Sequence, residues 1–596
     1  MIKERLNQLR KLMAEKGIDA YLIPSGDYHG SEYVGEYFRL RAYMSGFTGS
    51  AGTLLVTDGW AGLWTDGRYF IQAAKELSGS GIELMKMGEP EVLTVEQYLE
   101  KQIREGGCLG FDGRVVSVAE VREMEKVLKK KQIRFYGAED LAGSLWTDRP
   151  QMPKEPAFFL KEQYSGKSVA EKLKDLRGTM EEKGAAYHVL TALDEIAWLF
   201  NMRGNDIRCT PVALAYAVIG MEQAWLYVHE EILNDELRRQ FEAVNVSIRP
   251  YDGLIADVEA LNGKGKILVD PYRLNDAIYE KIAPEQVIED VNPCLLKKAV
   301  KNPVEMENAR LAHLKDGAAM AKFLCWVKTN VGKIPMTEYS VEQYVNQCRA
   351  EQEGFLELSF DTISAYGGNG AMCHYKATEE NCAAVEPKGL LLVDSGGQYM
   401  EGTTDITRTV AVGPVTDEER LHYTLVLKGM MNLARAKFLS GVRGIGLDYL
   451  AREPLWQRGL DYNHGTGHGV GQLLSVHESP NSFRWKWQPG LESAVLEEGM
   501  ITSDEPGYYE ENSHGIRTEN LLLCVKDEKN QYGQFMRFET LTMVPIDLEP
   551  ADLSLLTEEE IRWINDYHRE VYEKISPRVT EDVARWLKEA TKPVAG

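Results

Sequence analysis

The chain has 596 residues, of which 44% are hydrophobic and 27% charged, a composition typical of soluble globular proteins. The net charge of −23 repels nucleic-acid phosphates and anionic membrane surfaces. The sequence contains no apolar run of about 18 residues and no apolar signal-peptide core. We therefore expect a cytoplasmic protein without nucleic-acid or membrane partners. At about 150 residues per domain, the length of the chain predicts three to four domains.

The first segment alternates between helix and strand patterns. An amphipathic helix is predicted at about residues 3–16, where Gly17 ends it, and strands are predicted at 20–24, 52–57 and 61–65. Such alternation is typical of an α/β domain.

A second segment repeats landmarks of the first. The pattern Leu-Arg, Met and Glu-Lys-Gly within residues 9–17 recurs at an offset of 167 residues within 176–184. The runs 108–113 and 266–271 both end a buried strand with Asp and a turn residue. Two landmarks in matching order favour a duplication, although Lys-Gly after a helix is also a common C-terminal cap that can recur by coincidence.

These patterns divide the chain into three domains, which we place at residues 1–160, 161–300 and 301–596. The stretch 150–168 contains three prolines and is interpreted as a linker. The third domain opens with a long helix after Pro303, in which residues recur at steps of three and four, namely Leu311, Leu314, Ala318, Ala321 and Cys325.

The eight cysteines contain no CxxC pair and no regular spacing of the kind that marks a zinc ribbon or a disulfide framework. We expect reduced thiols that are mostly buried as small hydrophobic side chains.

Two aspartates in the third domain lie at the ends of predicted strands. Asp394 ends the buried run 389–394, and a glycine-containing turn leads to Asp405 at the start of the next strand. A hairpin brings the two carboxylates together, and nearby carboxylates repel each other unless a proton or a cation lies between them. A metal ion is the simplest way to keep both ionised.

Histidines and further carboxylates follow these aspartates. His464 and His468 lie in the glycine-rich stretch 463–471, where imidazole nitrogens suit Mn, Fe, Co or Zn. Glu505 and Glu519 lie in a turn and at a strand entrance. Each residue alone is explained by a cap or a loop. The whole set predicts a pair of divalent ions about 3.5–4 Å apart.

The same residues and their flanking motifs resemble the dinuclear-metal pita-bread peptidases of family M24, and most closely the long, three-domain Xaa-Pro aminopeptidases. The motifs are VDSGGQY, TTDITRT, HGTGHGVG, VHESP, DEPGYY and GIRTEN. Similar motifs occur earlier as IPSGDYHGSEY, SGFTGSAGT, WTDGRYFIQA and LDEIAWLFNMRGNDI, and at the other end as FETLTMVPID and EEEIRWINDYH. The resemblance implies two creatinase-type α/β domains followed by an α+β pita-bread domain, in which 535–596 form a C-terminal extension.

Carried over residue by residue, the resemblance implies a complete ligand set. Asp394 binds one metal, His468 and Glu505 bind the other, and Asp405 and Glu519 bridge the two. The ions are two divalent cations, Mn²⁺ ahead of Co²⁺ or Zn²⁺.

The resemblance also implies which residues line the cleft. His374, His464 and His477 fall where the family keeps histidines around the substrate, and Arg517 falls where it keeps an arginine near the metals. Catalytic roles are implied for Glu505, His477, His374 and Arg517. The stretch 366–370 before His374 departs from the family's usual form, which affects the expected shape of the substrate pocket but not the metal site.

The implied activity is an aminopeptidase that releases the first residue of small peptides with proline in the second position, acting as a homodimer. A bridging hydroxide between the two metals attacks the carbonyl that one of them polarises. Glu505 transfers the proton to the leaving nitrogen. His477 and His374 hydrogen-bond the oxyanion.

Other functions on the same fold stay open at this point. A peptide-binding module without metals is expected to have lost at least one ligand, whereas all five positions match. Creatine hydrolysis needs no paired metal ligands. The duplicated N-terminal region and the C-terminal extension argue against a strict prolidase and a methionine aminopeptidase.

Overall fold

The computed structural model describes residues 1–487 and 494–595. Contacts divide these residues into one unit of residues 1–161 and 167–295 and a second unit of residues 162–166 and 296 onward. Residues 488–493 and 596, which belong to the third domain expected from the sequence, lie outside the described residues.

The first unit begins with a six-stranded mixed sheet. In sheet order its strands are Glu83–Lys86, Ala61–Thr65, Thr53–Thr57, Ala20–Pro24, Cys108–Gly110 and Arg134–Tyr136. Its α-helices are Ile2–Lys16, Leu40–Ser45, Phe70–Glu76, Val95–Gln102 and Val118–Leu128. The first helix ends at Gly17, whose φ of 67° is the left-handed conformation that glycine adopts without strain. The predicted elements of this segment are thus confirmed to within one residue.

A second six-stranded sheet follows in the same unit. In sheet order its strands are Val246–Pro250, Ala224–Val228, Ala215–Gly220, Tyr187–Leu190, Ile267–Val269 and Val287–Glu289. The helices here are Val169–Glu182, Leu193–Leu199, Asp235–Ala243, Leu254–Glu259 and Asp276–Tyr279, and the helix Pro293–Ala299 begins in this unit and ends in the second. A two-stranded sheet pairs Phe158–Phe159 with Met202–Arg203.

The two six-stranded sheets have the same topology. In both, the central strand pairs antiparallel with one neighbour and parallel with the other, and both edge strands are added in parallel. The repeated landmarks occupy equivalent places, since Ile2–Lys16 and Val169–Glu182 precede the central strands, and Cys108–Gly110 and Ile267–Val269 are their parallel partners. The duplicated α/β architecture is therefore confirmed.

The second unit is built from antiparallel sheets and helices. Its strands form four sheets, in order Phe355–Leu358, Gly397–Tyr399, Gly402–Thr403; Ile363–Tyr366, Leu390–Ser395, Ile406–Ala411; Lys437–Leu439, Gly533–Thr540, Asn520–Asn530, Ile501–Asp504, Gly467–Gly469, Glu478–Phe483; and Gly507–Glu510, His514–Arg517. Its helices are Glu162–Ser165, Pro303–Asn330, Glu338–Ala350, Asp417–Ala434, Asp448–Trp456, Glu558–Ile575 and Glu581–Ala590.

The helix Pro303–Asn330 begins as the sequence suggests, and its recurring residues are divided between buried and exposed positions. The Asn302 side chain accepts hydrogen bonds from the first free backbone N–H groups, and Pro303 occupies the first helical position, where its missing N–H costs nothing. Of these residues Ala318 and Ala321 are buried, whereas Leu311 is 41% exposed and its neighbour Ala312 is fully buried. Most faces of this helix are covered, so periodicity alone does not identify the core side.

Arg408 joins two sheets of the second unit next to Asp405 and Glu519. Its buried guanidinium lies on the strand Ile406–Ala411 and donates to the carbonyl of Glu519 at 2.6 Å and to the side chain of Asn520 at 2.8 Å. The N–H of Glu519 in turn donates to the carbonyl of Thr407 at 3.1 Å. The start of the strand Asn520–Asn530 is thereby fixed beside the strand that follows Asp405.

The cysteines are free thiols, and most are buried, as expected: Cys108, Cys209, Cys294, Cys348 and Cys524. Burial raises the pKa of Cys348 to about 11 and that of Cys524 to about 12, which keeps both neutral at physiological pH.

Candidate metal centre

Asp394 and Asp405 lie on neighbouring antiparallel strands. Asp394 is opposite Thr407 in the ladder between Leu390–Ser395 and Ile406–Ala411, and Asp405 immediately precedes the second of these strands. The connection is longer than a simple hairpin turn, because it passes through the short strands Gly397–Tyr399 and Gly402–Thr403 of another sheet. The two carboxylates are nevertheless brought together from the ends of paired strands.

The other three candidate ligands come from the six-stranded sheet. His468 is the middle residue of Gly467–Gly469, Glu505 follows Ile501–Asp504, and Glu519 precedes Asn520–Asn530. Glycine is required next to His468, because a Cβ at residue 467 would lie 1.8 Å from the carbonyl oxygen of Ser503. The glycine-rich stretch is thus a strand that packs closely against its neighbour, not a free loop.

The five side chains converge on one small volume. Ligand atoms of Asp405, His468 and Glu519 all lie within 4.8 Å of one another. The Nε2 atom of His468 is 3.5 Å from a carboxylate oxygen of Asp405 and equally far from one of Glu505. The charges of Asp405 and Glu505 also act on Asp394, which therefore belongs to the same cluster.

The cluster carries more negative charge than its protein neighbours balance. Burial and the charge of Asp405 raise the pKa of Asp394 to about 6, although Arg517 opposes this shift. Burial also raises the pKa of Glu505 and, with the neighbouring carboxylates, raises that of Glu519 well above its usual range. Burial alone would lower the pKa of His468, but Asp405 and Glu505 raise it to about 9. Additional positive charge is needed to keep such a group of buried acids ionised.

Two buried carboxylate oxygens of the candidate ligands have no hydrogen-bond donor among the described residues. They are Oδ1 of Asp394 and Oε1 of Glu519, both buried. The second oxygen of each is held, since Arg517 donates to Asp394 Oδ2 at 2.6 Å and Thr407 donates to Glu519 Oε2 at 2.8 Å. On each side chain one oxygen is held in place and the other is left to accept. Carboxylate oxygens of this kind, together with one imidazole, are ligands that divalent cations bind.

His464 and Arg517 share a tyrosine that the sequence reasoning missed. The Tyr509 hydroxyl lies 2.8 Å from His464 Nε2 and accepts from Nη1 of Arg517 at 2.8 Å. Burial and the charge of Arg517 lower the pKa of His464 to about 3, so its ring is neutral. The hydroxyl can therefore donate to His464 while it accepts from Arg517.

His477 and His374 also lie near this cluster. The ring of His477 packs edge-on against His468 with centroids 4.3 Å apart. His374 is half-buried, and its proximity contributes to the lowered pKa of His464. The structure thus brings all the sequence-derived site residues into one region.

Thr407 and Ser503 are further residues of the site that the sequence reasoning did not single out. Thr407 accepts from Nε of Arg517 at 3.1 Å while it donates to Glu519. Ser503 accepts from the N–H of His468 at 2.9 Å and donates to Glu505 at 3.2 Å. Each is two positions from a ligand, and alternation along a strand places such residues on the ligand's face.

Four family models match the chain. Two, both described as Creatinase/Prolidase N-terminal domain, match residues 5–142 and 148–305. Metallopeptidase family M24 matches residues 307–526, and the C-terminal region of peptidase M24 matches residues 534–594.

Individual proteins are similar over the full length. Aminopeptidase P2 of Arabidopsis thaliana is 40% identical over 100% of this chain and 89% of its own. A probable Xaa-Pro aminopeptidase P of Pyrenophora teres f. teres is 41% identical over 99% of this chain and 92% of its own. The crystal structure of an X-prolyl aminopeptidase from Caenorhabditis elegans, described as a cytosolic enzyme with a di-nuclear active site, has a TM-score of 0.95 and 36% identity and covers 100% of both chains.

Proposed function

Because the chain belongs to metallopeptidase family M24, among the Xaa-Pro aminopeptidases P, we propose that it releases the N-terminal residue from small peptides with proline in the second position. The observation that carries this proposal is the convergence of Asp405, His468 and Glu519 on one point, with Glu505 3.5 Å from His468, beside two buried carboxylate oxygens that have no donor among the described residues. The similarity of the chain to aminopeptidases P over its whole length supports the substrate class.

The proposed cofactors are two divalent cations, Mn²⁺ ahead of Co²⁺ or Zn²⁺, since this ligand set accepts all three. Asp394 would hold one cation, His468 and Glu505 the other, and Asp405 and Glu519 both. When bound, such cations would supply a Lewis acid for a carbonyl group and would lower the pKa of a coordinated water. The di-nuclear site described for the Caenorhabditis elegans enzyme supports a pair over a single ion.

Among the chain's own groups, Glu505 is proposed to carry the proton to the leaving nitrogen. Burial raises the pKa of Glu505, which makes its carboxylate a better proton acceptor. His477 and His374 are proposed to hydrogen-bond the carbonyl oxygen as negative charge develops on it. Arg517 is proposed to hold Asp394 through their hydrogen bond. His464 is proposed to line the substrate cleft, with its ring hydrogen-bonded to Tyr509.

Proline in the second position makes the scissile bond a tertiary amide without an N–H group, which peptidases that bind extended backbone handle poorly. The test is an assay of the purified, Mn²⁺-loaded chain with a proline-containing tripeptide, with the same tripeptide carrying alanine in place of proline, and with the dipeptide Gly-Pro. We expect release of the first residue from the proline tripeptide and little from its alanine counterpart. Cleavage of Gly-Pro alone would instead identify a strict prolidase.

We also propose that the protein is cytoplasmic and forms a homodimer. Its domain boundaries are proposed to lie near residues 160 and 300. None of the described helices is both long and apolar enough to cross a membrane. The ring of Trp456 contacts those of Tyr449 and Trp485, with centroids 5.8 and 5.7 Å apart, and all three side chains are 37–47% exposed. An exposed aromatic cluster of this kind is typical of protein interfaces. Sedimentation of the purified chain is expected to give twice the 67.2 kDa monomer mass.

A further inference from the structure

A fully buried glutamate outside the metal centre contacts the segment that carries His374. Glu338 is the first residue of the helix Glu338–Ala350, and its side chain is 0% exposed. A carboxylate in the first turn of a helix is favoured by the unpaired N–H groups there. Its location explains how a charge can be buried at this point.

The donors that Glu338 accepts from all lie in residues 366–383. The backbone N–H of Tyr366 donates at 2.7 Å, the side chain of Asn369 at 2.9 Å, the hydroxyl of Tyr375 at 2.7 Å and the N–H of Ala383 at 2.6 Å. The N–H of Glu338 donates to the carbonyl of Ala383 at 3.0 Å. One side chain therefore holds both ends of this segment and the residue next to His374.

The same segment is held on another side by the strand that carries Arg517. A Cβ at Gly370 would lie 2.9 Å from the backbone nitrogen of Gly515, and a Cβ at Gly515 would lie 1.8 Å from the carbonyl oxygen of Gly370. The backbones are in contact, so the loop cannot move toward the strand. If the contacts to Glu338 were lost, the segment could move only away from the strand.

The segment is joined to the candidate centre through the strand His514–Arg517. Gly370, four residues before His374, packs against Gly515 of this strand, and Arg517 on the same strand donates to Asp394 at 2.6 Å. The position of the His374 ring therefore depends on how the segment is fixed.

We propose that Glu338 is a positioning residue, which fixes residues 366–383 so that His374 is held at the substrate. The inference rests on the proposed function and deepens it by adding a residue to the substrate side of the site. Glu338 itself does not contact the metal ligands, and it acts through the loop.

The test is Glu338→Gln in the metal-loaded, full-length protein. Glutamine has the same shape but turns one acceptor into a donor, which would face N–H or O–H groups on either side. We expect kcat/KM for the proline tripeptide to fall on the order of 100-fold, as for a small displacement of a catalytic group, with the metal content unchanged. Glu380→Gln, an exposed carboxylate in the same segment, is the matched control and should match the wild type.

Two further measurements separate positioning from general structural damage. In a His374→Ala background, Glu338→Gln should add little, because residues that act as one unit are strongly non-additive. Hydrogen exchange without substrate should become faster in residues 366–383 of Glu338→Gln and stay unchanged in the strand Leu390–Ser395. If Glu338→Gln does not fold, Tyr375→Phe, which removes one donor, should reproduce a smaller loss of kcat/KM.

Wild-type kcat/KM in Glu338→Gln, or a full additional loss in the His374→Ala background, would overturn the proposal. If Tyr375→Phe is used instead, unchanged activity together with unchanged hydrogen exchange would also overturn the proposal. A wild-type protein that cleaves no Xaa-Pro peptide would contradict the proposed function instead, and the exchange measurement would still decide whether Glu338 fixes the segment.

Discussion

At the scale of single residues, the candidate centre combines fixed and unpaired oxygens on the same side chains. Asp394 and Glu519 each have one oxygen bonded to a neighbour and one without a donor among the described residues. An unpaired buried acceptor normally costs about 1–3 kcal/mol, so two of them beside further carboxylates are costly unless a ligand binds there. This cost is the physical argument that the site is built for cations.

Asp405→Asn should reduce activity by several orders of magnitude and lower the metal content while the fold is kept. The proposed bridging position loses its charge, and an amide is a poor ligand for two ions at once. Elemental analysis, circular dichroism and the tripeptide assay would measure the three effects. Asp566→Asn, on an exposed helix position, is the matched control. Retained activity in Asp405→Asn would show that the assignment of the site is wrong.

His477→Ala should slow turnover about 100- to 1,000-fold, the usual cost of a lost donor to an oxyanion, with the metal content unaffected. The ring packs against His468 but is proposed to act on the substrate and not on the metals. Steady-state kinetics and elemental analysis on the same preparation separate the two roles. A variant purified without metal would make His477 a ligand.

At the scale of secondary-structure elements, the strand that follows His477 is anchored by a buried ion pair. Glu478 is the first residue of Glu478–Phe483, and its carboxylate accepts from Lys298 at 2.7 Å and from Lys301. All three side chains are at most 1% exposed. The anchor connects this strand to the chain just before the long helix Pro303–Asn330.

Glu478→Gln should lower the free energy of unfolding by about 3–5 kcal/mol, because it leaves two buried lysines without a counter-charge. Urea unfolding of the variant measures the effect. The control is Glu498→Gln, which removes the partner of Lys526 in a pair that is 40–58% exposed and should change stability by less than about 1 kcal/mol. Equal effects of the two substitutions would contradict a special role of the buried pair.

The helix Glu558–Ile575 should make stability depend on pH through His568. Its Nε2 accepts from the N–H of Ile546 at 3.1 Å, which requires a neutral ring, and burial lowers the pKa of His568 to about 4. The unfolded chain takes up its proton near pH 6.5, so this contribution is complete above about pH 6.5 and falls by about 3 kcal/mol toward pH 4. Urea midpoints should therefore drop more steeply between about pH 7 and pH 5 in the wild type than in His568→Gln. Parallel pH profiles would contradict the assignment.

At the scale of the whole molecule, the candidate centre belongs entirely to the second unit. Its ligands come from two sheets of that unit, which Arg408 joins. The first unit contains the duplicated sheets and none of the five ligands. Metal binding is therefore expected to raise the stability of the second unit.

Removal of the metals by a chelator should abolish activity, and Mn²⁺ should restore it. Because cations neutralise the clustered carboxylates and bind the folded chain, the metal-free protein should unfold at a lower temperature. The tripeptide assay and thermal unfolding, followed before and after re-addition of Mn²⁺, measure both effects, and Asp405→Asn should show no thermal response. A verified metal-free sample with full activity would exclude the proposed mechanism.

Much of the local structure could be predicted from the sequence, because local signals determine it. Gly17 ends the first helix through its left-handed conformation, Asn302 and Pro303 begin the long helix, and the motifs around Asp394 place it at a strand end. The ligand residues could be named for the same reason, since each stands next to a glycine or at a strand boundary. The matching order of landmarks was enough to predict the duplicated α/β architecture.

The tertiary structure alone decided what these residues contact. The buried face of Pro303–Asn330 depends on neighbours from distant parts of the chain, which periodicity does not contain. Thr407, Ser503 and Tyr509 are ordinary residues until the sheets pair, and Glu338 is an unremarkable helix-start glutamate until residues 366–383 fold onto it. Helix caps and strand ends are local, whereas burial, unpaired oxygens and shared hydroxyl groups arise only when distant segments pack together.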